Sequence, residues 1–356
     1  ILLACIAARR GFSSYIGSRR EIHFNITAFP PGIYLSKSIT AASDMMFRIM
    51  RDLGHAIAAW DEEALVHLPA ETYYSRRLSP SAMRYVSYFF AWGEDNAQLW
   101  RQYSYLPEDA AIEVTGNPRN DLLRPELHAY YESDVDTIKK TYGDFILINT
   151  NFNHVNAFSP VQNLFKPPEK PGEPPPFGRA AKGMSRTYAE GLRDHKQAIF
   201  EDFQRMIPAL DAAFPNCRIV VRPHPTESQK IYHDIAAQCQ RVKVTNDGNV
   251  VPWLLATKAL VHNSCTTGVE AQVMGIPAIT YRASINETYD FGFYRLPNLT
   301  SYPCFNLDEL ITNLKQILNG DFNPANGGDD RQQLIQHYMA AQDGPLACER
   351  MVDVLE

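Results

Sequence analysis

Five short apolar runs, at 145–150, 218–222, 242–245, 259–262 and 278–281, take turns with helix-patterned segments at 187–214, 227–237, 251–256 and 266–274. Few folds accept this rhythm. Strands of four to six residues joined by helices run parallel, and a parallel sheet must be covered by helices on both faces. The longest helical segment carries Leu192, Ile199, Phe203, Met206, Leu210 and Phe214 close to the spacing of one buried stripe. An earlier series repeats the alternation, with strands expected at 14–17, 32–35, 55–60, 85–92 and 111–115 and helices at 43–53 and 94–103.

The chain has 356 residues, 45% of them hydrophobic and 21% charged, enough for two cores. Two Rossmann-like domains are therefore expected, at 1–123 and 145–320, joined by a connecting helix at 124–144. Helices at 321–356 are expected to pack back. The stretch 159–179 holds seven prolines, including Pro174, Pro175 and Pro176, so it reads as a crossing loop or lid instead of a regular element.

A formal charge of -6 offers no general attraction to nucleic acid, so no such partner is expected, and an anionic ligand must meet a local basic cluster. Six cysteines are scattered without a CxxC pair or Cys/His ligand spacing, which points to free thiols in the cytoplasm. The apolar opening Ile1 to Ala8 is too short to span a bilayer and lacks a cleavage pattern. Because the chain opens on Ile inside a helical pattern, a first strand is expected upstream, in a longer parent protein with further domains.

Chemistry-bearing residues gather at the ends of the expected strands, where open parallel sheets bind ligands. After 259–262 comes the hydroxyl-rich turn Asn263-Ser264-Cys265-Thr266-Thr267 opening a helix, with Glu270 one turn in. Ser264, Thr266 and Thr267 suit a phosphate, and Glu270 suits ribose hydroxyls; plain helix capping explains the same Ser and Thr. After 218–222 come Arg222-Pro223-His224-Pro225, whose prolines hold His224 in place to donate to a departing phosphate. After 145–149 come Asn149, Asn151 and His154, which fit sugar hydroxyls as well as they fit local Asx turns. Arg119, in Gly116-Asn117-Pro118-Arg119, suits a carboxylate or a phosphate, and equally an exposed turn.

Two acidic groups read as bland from spacing alone. Asp61-Glu62-Glu63 has the look of a solvated helix start, with an acceptor-side acid as the alternative. Asp194 lies roughly 180° from Phe203 at ~100° per residue, on a solvent-facing side of its helix. Asp134 and Asp136 lack a third ligand nearby, and no metal is assigned.

Taken in order, GIYLSKS, WDEEALV, FAWGED, VTGNPRNDLL, ILINTNF, RDHKQAIF, VVRPHPTE and HNSCTTGVEAQVMGIPAITYR resemble the retaining β-Kdo glycosyltransferases of bacterial surface polysaccharide synthesis, including Kdo-transferase modules of O-antigen synthases. The likeness spans nearly the whole chain. It implies an α/β fold of modified GT-B type, two Rossmann-like domains facing a central cleft, with the acceptor on the first and CMP-β-Kdo on the second. It further implies transfer of Kdo to an O-antigen or capsule glycan without metal or cofactor, at the cytoplasmic face of the inner membrane and with peripheral association through the parent protein. In this family a catalytic Asp forms a covalent Kdo adduct that the acceptor resolves with net retention. Motif order maps that Asp onto Asp194, and the family's His-Pro onto His224-Pro225. Ser264 to Thr267, Glu270 and Arg222 would then hold the nucleotide, and Arg119 or Arg282 the Kdo carboxylate. His195 and Lys196, beside Asp194, join Asn149, Asn151 and His154 as sugar contacts.

Three rivals remain: a CMP-sialic-acid-dependent sialyltransferase, a UDP-GlcNAc 2-epimerase-like enzyme, and a non-catalytic glycan-binding module.

Overall fold

The computed structural model describes residues 1–65, 70–168, 170–290, 295–322 and 328–356. Val66 of the WDEEALV motif, Glu169 of the proline-rich stretch and 323–327 of the C-terminal region lie outside them. The chain divides into two units, Ile1–Leu127 with Gly328–Glu356, and His128–Gly327. Both are α/β with all-parallel sheets.

The first unit holds a four-stranded sheet in the order β1-β2-β3-β4: β1 (Ile33–Ser36), β2 (Ala56–Ala59), β3 (Tyr88–Ala91) and β4 (Ala111–Val114). The expected strand at 14–17 is absent. That short run, Tyr15-Ile16 between Ser14 and Gly17, finds no ladder partner and instead lines a mostly apolar cavity of about 820 Å³ beside β1. The C-terminal segment belongs to this unit. Ala340 N donates to Trp92 O at 2.7 Å, and two glycines make room for it, since a Cβ on Gly93 would lie 2.4 Å from the Tyr338 carbonyl carbon and one on Gly116 would lie 2.8 Å from Ala340 O. Asp121 then caps the helix Ala347–Leu355, accepting from Ala347 N at 2.7 Å and Cys348 N at 2.9 Å.

The second unit holds six strands: β5 (Phe145–Asn149), β6 (Arg218–Arg222), β7 (Val242–Val244), β8 (Ala259–His262), β9 (Ala278–Tyr281) and β10 (Tyr302–Cys304). Their order is β10-β9-β8-β5-β6-β7, the doubly wound arrangement in which the chain reverses direction across the sheet between β5 and β8. The two-residue period sorts side chains onto two faces. Ile146, Ile148, Ile219, Val221, Val261 and Ile279 pack with Phe203, Met206, Ile207 and Leu210 of the long helix Arg186–Ala213. Phe145, Leu147, Val220 and Leu260 pack on the other side with Trp253 and Leu254 of the helix Val250–Ala256. The helix Leu307–Asn319, inside the expected 145–320 domain, closes this unit through Leu310 and Leu314.

The proline-rich stretch forms a pinned loop. Lys166 N donates to Pro176 O and Gly178 N to Leu164 O, both at 2.9 Å. Leu164 and Phe165 pack on Ala189 and Leu192 of the long helix. No described helix is long and apolar enough to cross a membrane.

Candidate functional site

The ladder registers place Asn149 opposite Arg222 on one side and His262 on the other, so the carboxyl ends of β5, β6 and β8 finish level in the second unit. The loops that follow carry several of the residues singled out from sequence, among them Asn151, His154, His224 and Ser264. At the reversal point between β5 and β8 they are tied together: Asn149 Nδ2 donates to Thr267 Oγ1 at 3.0 Å, Asn151 N to Asn263 Oδ1 at 2.8 Å, and Asn263 Nδ2 to Asn151 O at 3.3 Å. These bonds leave acceptors over. Asn149 is 3% exposed, yet its Oδ1 has no hydrogen-bond partner among the described residues, and neither do Asn151 Oδ1 and Asn153 Oδ1. Buried amide oxygens without donors are costly unless a ligand or solvent supplies them.

Ser264 begins the turn with φ of 65°, the left-handed region that a non-glycine residue adopts at a cost, and its hydroxyl donates to Asn298 Oδ1 at 2.8 Å. Beneath the turn lies His262, fully buried, whose Nδ1 accepts from Cys265 N at 3.2 Å while its Nε2 meets Ser301 Oγ at 2.8 Å. Burial pushes this imidazole down to about 3, so it is a neutral strut with its proton on Nε2. Thr267 was expected on the phosphate, but its hydroxyl is turned inward and occupied by Asn149. Thr266 stays partly exposed at the helix start, while Glu270 is buried on the helix Thr267–Val273, not open on its surface.

His224 follows β6. Its Nδ1 accepts from Thr226 N at 3.2 Å and lies 2.8 Å from Thr226 Oγ1, which leaves the neutral ring's proton on Nε2, free to face a ligand. Partial burial lowers its pKa below the ordinary imidazole value. Arg222 corrects the sequence reading: its guanidinium donates to Asp247 O at 2.8 Å and to Gly248 O, and lies 5.5 Å from the Trp253 ring centroid. A strand-terminal arginine buried this way secures the loop after β7.

On the long helix the wheel geometry holds. Asp194 is exposed, its side chain at 67%, and pairs with Arg193 at 2.7 Å. His195 and Lys196, at roughly 100° and 200° around the helix, are buried instead, with His195 stacked on Tyr289 at 6.1 Å. Sequence adjacency to Asp194 therefore does not put them on its face. Arg193 also lies 5.2 Å from the Phe165 ring centroid, so the proline-rich loop and the Asp194 ion pair share one guanidinium. His154 sits at the base of that loop, its carbonyl accepting from Leu164 N at 2.8 Å, and Arg282 is partly buried just past β9.

Arg119 is exposed in the first unit, with its backbone N–H bonded to Asn117 Oδ1 at 2.9 Å. The solvated reading of Asp61 is overturned. It is 1% exposed, paired with Arg77, and its backbone oxygen accepts from Trp92 Nε1 at 2.6 Å, so burial demanded a counter-ion. Among the described residues no cluster of three or more His, Cys, Asp or Glu is arranged to hold a metal. Sequence reasoning passed over Glu227, 2% exposed beside His224, and Asn298, which accepts from both Ser264 and Thr280. The spacing of Glu227 three residues after His224 was the available signal for the first; nothing local marks the second.

No protein-family model and no curated protein matches the sequence. Solved structures do match. UDP-GlcNAc 2-epimerase from Methanocaldococcus jannaschii superposes with a TM-score of 0.55 at 15% identity, over 96% of this chain and 83% of that one. The wall teichoic acid polymerase TagF with CDPG gives 0.54 at 12%, over 91% and 70%. A putative UDP-N-acetylglucosamine 2-epimerase from Listeria monocytogenes gives 0.52 at 16%, over 99% and 79%. The chain has a two-domain fold of the GT-B and epimerase type. At these identities the GT-B likeness is one of fold, and the chemistry has to be argued from the residues.

Proposed function

We propose that this chain is a retaining glycosyltransferase that moves Kdo from CMP-β-Kdo to a hydroxyl of a bacterial surface glycan, working at the cytoplasmic face of the inner membrane. One observation carries the donor side: unpartnered amide oxygens of Asn149, Asn151 and Asn153 lie at the β5/β8 reversal point, next to the loop from which His224 offers Nε2–H. Donor-poor acceptors suit sugar and ribose hydroxyls, and an N–H donor suits phosphate.

In the proposed reaction the Asp194 carboxylate attacks the anomeric carbon as the bond to the CMP phosphate breaks. His224 donates to the departing phosphate oxygen, with Thr266 and the Ser264 turn beside it and Glu270 near the ribose. The acceptor hydroxyl then displaces Asp194, and two inversions give retention. The role of Asp194 rests on the resemblance alone, since its carboxylate is exposed and paired with Arg193. Arg119 and Arg282 remain proposals for the Kdo carboxylate.

A second reading, an epimerase acting on UDP-GlcNAc, is favoured by the similarity of fold to the two epimerases. Thermal-shift measurements with CMP, UDP, GDP and ADP separate them: CMP is expected to give the largest rise, and preference for UDP supports the epimerase. Incubation with CMP-Kdo followed by intact-protein and peptide mass spectrometry is then expected to show a Kdo increment on Asp194. Turnover with no adduct at that residue, even in a variant stalled before acceptor attack, removes it as nucleophile.

A further inference from the structure

The loops that follow β5 and β6 run as a pair. Ala157 and Glu227 form an antiparallel bridge, Ser228 N donates to Asn156 O at 2.8 Å, Phe158 N to Thr226 O at 2.7 Å, and Asn156 Nδ2 to Ser228 O at 2.9 Å. From this ladder the Glu227 side chain turns inward. One carboxylate oxygen accepts from Thr150 Oγ1 at 2.9 Å and from His224 N at 3.1 Å, the other from the Tyr232 hydroxyl at 2.6 Å, and Phe152 N–H also donates to the group. Glu227 N in turn donates to His224 O at 2.8 Å.

Nothing about local loop stability requires a carboxylate here. The donors are neutral, burial raises the pKa of the group, and a shorter polar residue would satisfy the turn at His224 alone. What the carboxylate achieves is reach. Its two oxygens gather donors from three elements: the end of β5 (Thr150, Phe152), the loop after β6 (His224) and the helix Lys230–Ala236 (Tyr232). It thereby fixes the loop bearing His224 relative to the strand end bearing Asn149, Asn151 and Asn153.

We infer that Glu227 is a positioning residue for the nucleotide-sugar site: its buried carboxylate locks the His224 loop onto the end of β5 so that the imidazole Nε2–H and the asparagine oxygens address one ligand. The inference rests on the functional reading above for what the ligand is, but the lock is a property of the protein alone.

The test has two arms. In the first, long-range 1H-15N spectra of the imidazoles follow tautomer and titration of His224 without any ligand. In wild type His224 is expected as the Nε2–H tautomer, titrating below the ordinary value. In Glu227→Ala it moves up toward the ordinary value of about 6.5 and loses its tautomer preference, as the loop opens to water. Glu227→Gln, which keeps one acceptor oxygen, restores most of the wild-type behaviour. Tyr232→Phe, which removes a single donor, gives a smaller shift in the same direction and serves if the alanine variant does not fold. In the second arm, with CMP-Kdo, Glu227→Ala is expected to lower kcat about 100-fold, the scale of a misplaced catalytic group, while CMP affinity changes less than about threefold and Glu227→Gln recovers activity. Unchanged His224 tautomer and titration in a folded Glu227→Ala or Tyr232→Phe protein overturns the inference. A wild-type protein that turns over no CMP-sugar defeats the functional reading and leaves the spectroscopic arm to decide on the lock.

Discussion

Gly268 shows how a single residue shapes the candidate site. A Cβ there would lie 2.4 Å from His262 Nε2 and 2.7 Å from Cε1, and the ring cannot retreat because Cys265 N and Ser301 Oγ hold its two nitrogens. Gly268→Ala is expected to cost about 2 kcal/mol of unfolding free energy, the scale of overpacking a fixed core, and to weaken nucleotide binding by displacing the Ser264 turn. Urea titration with a parallel binding measurement checks it; unchanged stability and binding would mean that the histidine is free to move. The residues that form this support are interleaved in sequence with the more exposed ones of the turn, so Ser264 and Thr267 read alike in the motif although Thr267 is buried against Asn149 and Ser264 is only partly so.

Among the elements, the proline-rich loop is pinned at its base by backbone hydrogen bonds and by packing on the long helix. Gly178 passes so close to Asn163 that a Cβ would lie 2.0 Å from its carbonyl oxygen, and Arg186 and Arg193 lie 5.3 and 5.2 Å from the Phe165 ring centroid. Gly178→Ala is expected to detach the loop while leaving the sheet intact, seen as about tenfold faster limited proteolysis within 160–180 at unchanged global stability. Because Arg193 also pairs with Asp194, the same variant reports on whether the loop orients that carboxylate: a loop freed without any change in the rate of adduct formation would separate the two.

For the whole molecule, the two units carry separate cores, so unfolding is expected in more than one transition. Acid acts on them differently. His262 in the second unit has a folded pKa of about 3 against about 6.5 unfolded. Below about pH 6.5 the unfolded chain binds a proton that the native ring refuses, and stability falls as pH drops, by up to about 1.4 kcal/mol per unit. Burial raises Asp121 in the first unit and Glu227 in the second; such carboxylates favour the native state as pH falls through their raised folded values toward the ordinary carboxylate range, opposing the histidine within the second unit. Calorimetry at pH 7 and pH 5 is expected to show the transition of the second unit moving down more than that of the first, with most of the difference lost in His262→Asn. Equal shifts in both transitions would contradict the neutral buried ring.

The alternation of apolar runs was enough to predict both parallel sheets, most strands to within a residue or two, and the strand ends at which His224, Asn149 and the Ser264 turn occur, because strand period and crossover helices are written in local pattern. The same local pattern misread 14–17, where an apolar run had no neighbour to pair with, and missed β10, a three-residue strand that exists only by pairing with β9. It also could not say which polar groups are spent internally. Arg222 holding the loop after β7, Asp61 paired with Arg77, Thr267 bonded to Asn149, and Glu227 gathering four donors all depend on partners at least 16 residues away or on burial. Hydrogen bonding inside a core is satisfied between segments distant in the chain, so composition and spacing nominate the polar residues, and tertiary packing determines which of them remain available to a ligand.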